Sequence, residues 1–268
     1  MANIVITGAS SGIGAALALR YTAPGNTLAL MGRDESRLSA VTALCRKRGA
    51  VVFPGIVDVR DRSAMVDWLT AFDAHAPIDL VIANAGIMAG TPPGGAIEPP
   101  DDARAAIEIN LLGTLNTVQP ILPMMMKRGR GQIAIVSSVA AFGPVPDAPS
   151  YAASKAALLN YGLSLRALLA STGVRVSVIC PGYVTTPMMR QETGPKPFEM
   201  AAERAADIIH RGLERNRGVI SFPFLFSLMS RLTGLLPDRL RSRAARSLRF
   251  TVTATDTAQE GSGSKSSV

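Results

Sequence analysis

Cysteine, histidine, aromatic residues and charge are all scarce in this chain, and each scarcity excludes something. Only two cysteines are present, Cys45 and Cys180, far apart in dissimilar surroundings. Neither a disulfide framework nor a CxxC redox or zinc motif can be built from them, and a reducing, cytoplasmic setting is expected. His75 and His210 are isolated, which leaves metal ligation without support. No apolar run approaches about 18 residues, and the opening MANIVITGAS reads as a strand instead of a basic-then-apolar leader, so neither secretion nor a membrane span is expected. Charged residues make up 18% of the chain against 47% apolar, enough in 268 residues for one sizeable core.

The net charge of +8 is concentrated in one place. Arg231 to Arg249 contains six arginines against Asp238 alone, a net +5 that leaves +3 for everything else. That stretch has no interleaved aromatics, so a nucleic-acid partner is not expected. It follows a run of Phe222, Phe224, Leu225, Phe226, Leu228, Met229, Leu232, Leu235 and Leu236. An apolar patch beside a basic one fits a peripheral membrane contact through residues 222–249, a cover over a pocket, or a subunit interface.

Short runs rich in Val, Ile and Leu recur at Ile4–Thr7, Thr27–Met31, Val51–Val57, Leu80–Ala83, Ile133–Ser137, Val174–Cys180 and Gly218–Phe222. They are continuously apolar, as strands buried on both faces must be, and helical patterns separate them. The expected fold is α/β: one doubly wound, Rossmann-like parallel sheet of about seven strands flanked by helices. Helices are predicted at Gly12–Tyr21, Ser36–Arg48, Asp61–His75, Asp101–Met126, Tyr151–Ser171 and Met200–Arg215, with Asp34 or Ser36, and Ser150, as caps. Met88–Pro100 and Tyr183–Phe198 read as loops. The organisation is therefore a domain over 1–222, an apolar and basic extension over 223–250, helical in character, and a disordered tail over 251–268.

The first strand runs into Thr7-Gly8-Ala9-Ser10-Ser11-Gly12-Ile13-Gly14 and then a helix, where a dinucleotide pyrophosphate would meet helix N–H groups. Gly8 permits a tight turn, Gly12 a close backbone approach, and Gly14 close helix packing. Asp58, with Val59 beside it, and Asn84-Ala85-Gly86 end two further strands, where ligands gather in such sheets. Asp58 would bond an adenine amino group or cap the next helix. Asn84 would line the site or tie neighbouring strands together. At the end of the second strand, Gly32-Arg33-Asp34 offers a cation for a ribose 2′-phosphate. With Asp34 taken as a helix cap, NADP(H) is preferred, and Asp34 as a ribose partner would instead argue for NAD(H).

Tyr151 and Lys155 in YAASK stand four apart and share a helix face, with Ser138 thirteen residues earlier at a strand end. A phenol is a poor base at neutral pH, and making it one takes roughly 4 kcal/mol of preferential phenolate stabilisation. The Lys155 ammonium, helped by a positively charged nicotinamide, is expected to supply it. Ser137 competes with Ser138, but the spacing to Tyr151 favours Ser138. A hydrolase reading fails because no GxSxG turn surrounds that serine.

Taken together, TGASSGIG, Asp58, NAG at 84–86, Asn110, Ser138 with Tyr151-Ala-Ala-Ser-Lys155, and Pro181-Gly182 followed by Thr186 resemble the short-chain dehydrogenase/reductase family over Ile4 to about Phe222. The resemblance implies an NAD(P)-dependent oxidoreductase moving a hydride between nicotinamide and an alcohol/ketone pair. Tyr151 would exchange the proton and Ser138 would polarise the substrate oxygen. Lys155 would lower the tyrosine pKa and bond the ribose, and Asn110 would hold a relay water. Pro181, Gly182 and Thr186 would line the nicotinamide end, and the chain would assemble as a dimer or tetramer. Ile87, Met88, Ala140, Phe142, Val145, Tyr183, Met188 and Met189 make an apolar, lipid-like alcohol or ketone the expected substrate. The alternative is a dinucleotide-sensing binding protein that does not turn over.

Overall fold

All seven apolar runs become strands of one parallel sheet, each within two residues of its predicted bounds. In the computed structural model, which describes residues 1–234, 236–237, 239–240 and 250–253, the strands are β1 (Asn3–Thr7), β2 (Thr27–Gly32), β3 (Val51–Ile56), β4 (Leu80–Ala83), β5 (Gly131–Val136), β6 (Val174–Pro181) and β10 (Val219–Phe222). Their order is β10-β6-β5-β4-β1-β2-β3. The chain reverses direction across the sheet between β1 and β4, and that switch point opens a crevice at the carboxyl ends of the strands.

Helices α1 (Gly12–Tyr21), α2 (Glu35–Lys47) and α8 (Ala202–Glu214) cover one face. The other is covered by α3 (Arg62–His75), α4 (Pro100–Ala106), α5 (Gly113–Val118), α6 (Leu122–Arg128) and α7 (Pro149–Leu168). Leu17, Leu28, Leu30 and Ile209 bury on the first side, and Met65, Leu69, Ile121 and Ile133 on the second. Each such side chain contributes roughly 2 kcal/mol of hydrophobic stabilisation. The edge strand β3 departs furthest from continuous burial. Val51 and Ile56 are exposed there and Pro54 is tolerated, because one side of an edge strand has no ladder to serve.

Three local expectations are corrected. The single helix predicted over Asp101–Met126 is broken into α4, a π-helical turn at Ile107–Leu112, α5 and α6, with the break before α6 at Pro120, which has no N–H to continue the ladder. Ser150 is not a cap: α7 starts at Pro149, and Ser150 lies inside it, donating its N–H (3.1 Å) and hydroxyl (2.5 Å) to Glu98. The stretch Tyr183–Phe198 carries short strands β7 (Val184–Thr185) and β8 (Glu192–Thr193), and β7 pairs with β9 (Met200–Ala201). Asp34 and Asp61 do cap α2 and α3, accepting the N–H groups of Arg37 and Ala64.

Helix α9 (Phe224–Gly234) begins the C-terminal extension. The arginine-rich residues 241–249 and the tail from 254 onward lie outside the described residues. Residues 251–252, expected in a disordered tail, instead form β11 (Thr251–Val252), antiparallel to β8. Among the described residues no helix is long and apolar enough to cross a membrane.

Candidate active site

The turn after β1 is held open by backbone geometry that side chains would spoil. Gly8 adopts φ +65° and Gly12 φ +55°, in the left-handed region. A Cβ on Gly8 would stand 2.9 Å from the Ala85 Cα, and one on Gly12 would stand 3.0 Å from the Thr186 side chain. Gly14 lies behind them, its Cα against the Gly8 carbonyl with no room for a methyl. Ser11 precedes α1 without a side-chain cap, unlike Asp34 and Asp61 on their helices. A cradle of bare backbone at an uncapped helix N-terminus fits a dinucleotide pyrophosphate.

Asn84 fills both of the roles considered, lining the cleft and tying neighbouring strands. Its amide donates to the carbonyls of Thr7 (2.9 Å) and Gly8 (3.2 Å), and its own N–H donates to the Thr7 hydroxyl (3.0 Å), as does that of Ala85 (3.1 Å). The β4 end is thereby locked to the glycine turn.

A continuous cleft of about 1460 Å3 runs from Asp34 and Arg37 at one end to Met229 and Phe250 at the other. It exceeds the roughly 300–1,000 Å3 of an ordinary small-molecule pocket and can hold a dinucleotide together with a second molecule. Of the predicted dinucleotide residues, Ser10, Ser11, Ile13, Val59, Gly86, Pro181 and Gly182 line it, as do Gly8, Gly12, Arg33, Asp58, Asn84, Ala85 and Thr186. Gly14 and Asn110 support the wall from behind, Asn110 against Gly86 and Ile87.

At the far end Asp58 is not a helix cap. It accepts from the Arg60 guanidinium at 2.7 Å, with Arg33 3.8 Å away. Burial alone would push its carboxyl up, but the bonds from Arg60 and the charge of Arg33 outweigh it and hold the group below the usual range. Asp34 accepts from the Ser36 hydroxyl and from Arg37, whose backbone N–H bond is the largest of several that bring it to about 2. The cations Arg33 and Arg60 flank this end, both beside Asp58, while Asp34 is occupied in capping.

At the reaction end, α7 carries Tyr151 and Lys155 into the cleft, both buried. Tyr151 shares a hydrogen bond with Ser138, which also accepts the N–H of Ala140 at 3.1 Å. Ser137, the competing serine, points the other way and donates to the carbonyl of Lys155 at 2.7 Å. The Lys155 ammonium donates to the carbonyl of Val136 (3.1 Å) and sits 5.6 Å from the centre of the Tyr151 ring. Burial pushes Tyr151 up to about 12, with Ser138 pulling the other way, and burial brings Lys155 down to about 8. In the chain by itself burial is the larger influence on Tyr151, and the Lys155 ammonium faces a carbonyl.

Asn110 is fully buried in the π-helical turn. Its carbonyl oxygen accepts from the N–H of Ile87 (2.7 Å), and its amide donates to the carbonyl of Ile87 (3.1 Å) and to Ser154 (3.1 Å). Its side chain fastens the loop after β4 to α7.

A family model for short chain dehydrogenases matches residues 2–196, most of the chain and every element described so far except α8, β9, β10, α9 and β11. The chain belongs to the short-chain dehydrogenase family. This short-chain dehydrogenase is 36% identical over 246 residues to an uncharacterised oxidoreductase of Myxococcus xanthus, covering 91% of this chain and 96% of the relative. Its fold is similar to a short-chain dehydrogenase from Sphingobium yanoikuyae in complex with NADPH, at TM-score 0.75 and 25% identity over 96% of this chain and 99% of that one. It is also similar to one from Mycobacterium paratuberculosis bound to NAD, at TM-score 0.72 and 26% identity over 82% and 94%. The protein is an oxidoreductase acting on CH–OH/C=O groups with a nicotinamide dinucleotide.

Several residues of the dehydrogenase's cleft were not found from sequence. Arg60 stands two residues from Asp58, a spacing that could have flagged it. Glu192 stands on the cleft wall beside Tyr183, a residue the sequence had already placed at the substrate, and shares a hydrogen bond with it. Residues 250–253 form a strap across the substrate end. The N–H of Phe250 donates to Asp147 (3.1 Å), that of Val252 to the carbonyl of Thr91 (2.9 Å), and that of Thr253 to the carbonyl of Gln191 (2.9 Å). Three loops, following β4, β5 and β6, are sewn together this way. Val252 packs with Tyr151, Met88 and Ala148, and Phe250 reaches the cleft itself.

Proposed function

We propose that this enzyme is an NADP(H)-dependent reductase of apolar, lipid-like ketones. The observation that carries the reading is the meeting of Ser138, Tyr151 and Lys155 on the cleft, beyond the glycine cradle. The bound dinucleotide would supply the hydride. In reduction the Tyr151 hydroxyl donates its proton to the substrate oxygen, which Ser138 holds by a hydrogen bond. Lys155 contributes positive charge beside the ring, and Asn110 keeps the loop after β4 in register with α7. Arg33 and Arg60 support a 2′-phosphate at the other end, since a guanidinium matches phosphate geometry. Met88, Val145, Met188, Met189 and Phe250 support an apolar substrate body.

Tyr151→Phe should abolish NADPH oxidation across a ketone panel while leaving NADPH affinity, read by fluorescence titration, within about two-fold. Turnover retained in that variant contradicts the assignment, and its presence in the native protein separates an enzyme from a dinucleotide sensor.

The reading includes a homodimer or tetramer and contact with an anionic membrane surface. For the membrane, support comes from Phe224, Leu225, Leu228 and Leu232, exposed on α9 beside the basic stretch of sequence. Co-sedimentation with phosphatidylserine vesicles, lost in a Phe224→Glu, Leu228→Glu variant, tests the membrane part. Light scattering tests the assembly.

A further inference from the structure

The substrate end of the cleft is walled by Met88, Val145, Met188, Met189 and Phe250, and one acid interrupts that wall. Glu192 lies in β8, 3% exposed, and lines the cleft beside Tyr183. One of its carboxylate oxygens accepts from the Tyr183 hydroxyl. The other, Oε1, is buried without a hydrogen-bond partner among the described residues. No cation stands within 4.0 Å of it among those residues.

A half-paired carboxyl inside an apolar wall is unfavourable, because its desolvation is offset by only one bond. Glutamine or leucine would close the same wall more stably. Among the described residues three other buried polar atoms also lack partners, in Thr42, Ser177 and His210, but none lines the cleft and none is an acid. Of the described residues, Glu192 alone combines an orphaned acceptor with a place on the substrate wall. It is also close enough to the reacting group for its charge to be felt at Tyr151. Burial of Glu192 is fixed from outside its own loop by the pairing of Glu192 with Val252 in the strap.

We propose that Glu192 is a second anchor for the substrate: besides its carbonyl, the ketone carries a hydrogen-bond donor, a hydroxyl or protonated amine, that bonds Glu192 Oε1. The inference rests on the reading of the site as a ketone reductase. The terminal torsion of a glutamate is soft, so a small rotation about Cγ–Cδ turns Oε1 toward the cleft. A donor a few bonds from the reacting carbon would then be held while Ser138 and Tyr151 hold the carbonyl. The substrate class narrows from an apolar ketone to an apolar ketone with one polar handle.

The test uses the full chain saturated with NADPH and matched bicyclic ketones: 2-decalone, hydroxy-2-decalones and amino-2-decalones. The native enzyme should favour a substituted ketone at least ten-fold in kcat/KM, mainly through KM. Glu192→Leu should level the set, bringing kcat/KM of the substituted ketones to that of 2-decalone in the same variant, with NADPH affinity within about two-fold. Glu192→Gln should keep part of a hydroxyl preference and lose an amine preference, which separates the two donors. Melting-temperature shifts induced by the same ketones read binding without turnover, so absent turnover with a donor-dependent shift overturns only the reductase reading. Equal native responses to all three ketones by both measures, or a preference that survives in Glu192→Leu, overturns the anchor.

Discussion

Ser137 donates its hydroxyl hydrogen to the carbonyl oxygen of Lys155 at 2.7 Å, which ties the end of β5 to the middle of α7 and leaves Ser138 to bond Tyr151. Adjacent serines thus serve different links of the chain from structure to function. Ser138→Ala should lower kcat for ketone reduction about 100-fold or more with little change in melting temperature. Ser137→Ala should reverse the pattern, losing roughly 1 kcal/mol of stability with a buried hydrogen bond and less than ten-fold in kcat. Thermal melts and steady-state kinetics on both variants check this, and equal kinetic damage would contradict the division.

Gly14 has no room for a methyl. Its Cβ would meet the Gly8 carbonyl and, at 2.6 Å, the Asn84 amide. Gly14→Ala should cost about 1–3 kcal/mol through overpacking and weaken dinucleotide binding, because the displaced atoms shape the cradle. Calorimetric titration with NADPH and NADH should find both weakened alike.

Removing charge at the other end should instead discriminate between the dinucleotides. Arg33→Ser should raise KM for NADPH ten-fold or more, the loss of one charge-assisted contact worth about 1.5–3 kcal/mol, and leave KM for NADH nearly constant. Parallel loss for both cofactors would assign Arg33 to the surface.

Glu192 gives a pH signature in the unliganded protein. Burial raises its carboxyl to about 7, against the downward pulls of Tyr183 and Lys196, and its own charge acts on Tyr151. Because the folded value exceeds the usual 4.5, the folded state binds the proton more tightly. The stability this gives is fully present below about 4.5 and is lost as pH rises to about 7. Glu192→Gln lacks that loss. The melting temperature of the native protein relative to Glu192→Gln should fall between pH 5 and 7 and level off above, and a constant difference would contradict the assignment.

The legible parts of this molecule were those whose signals are local. Strands buried on both faces must be apolar throughout, so Leu80–Ala83 or Val174–Cys180 announce themselves. Tyr151 and Lys155 are visible because four residues make one helical turn. The role of Asn84 stayed open in sequence because a strand-end asparagine suits either task, and only its bonds to Thr7 and Gly8 together with its place on the cleft show that it performs both. Glu192 was invisible for a different reason: its burial depends on its β11 partner Val252, 60 residues further on, and nothing in the sequence around either segment specifies that pairing. The same holds for the long helix over 101–126. Its apolar spacing is genuine, yet the π-helical turn at Asn110 arises where that spacing meets α7 and the loop after β4, and the break before α6 comes from the missing N–H of Pro120.

The strap also sets an order of events during synthesis. Residues 250–253 leave the ribosome after every strand of the sheet and after the whole glycine cradle. A nascent chain stalled before them already carries each element needed to grip a dinucleotide, while Glu192 and the loops after β4, β5 and β6 still lack their common fastening. Cofactor capture would precede completion of the substrate chamber, and the growing protein would be a binder before it became a catalyst.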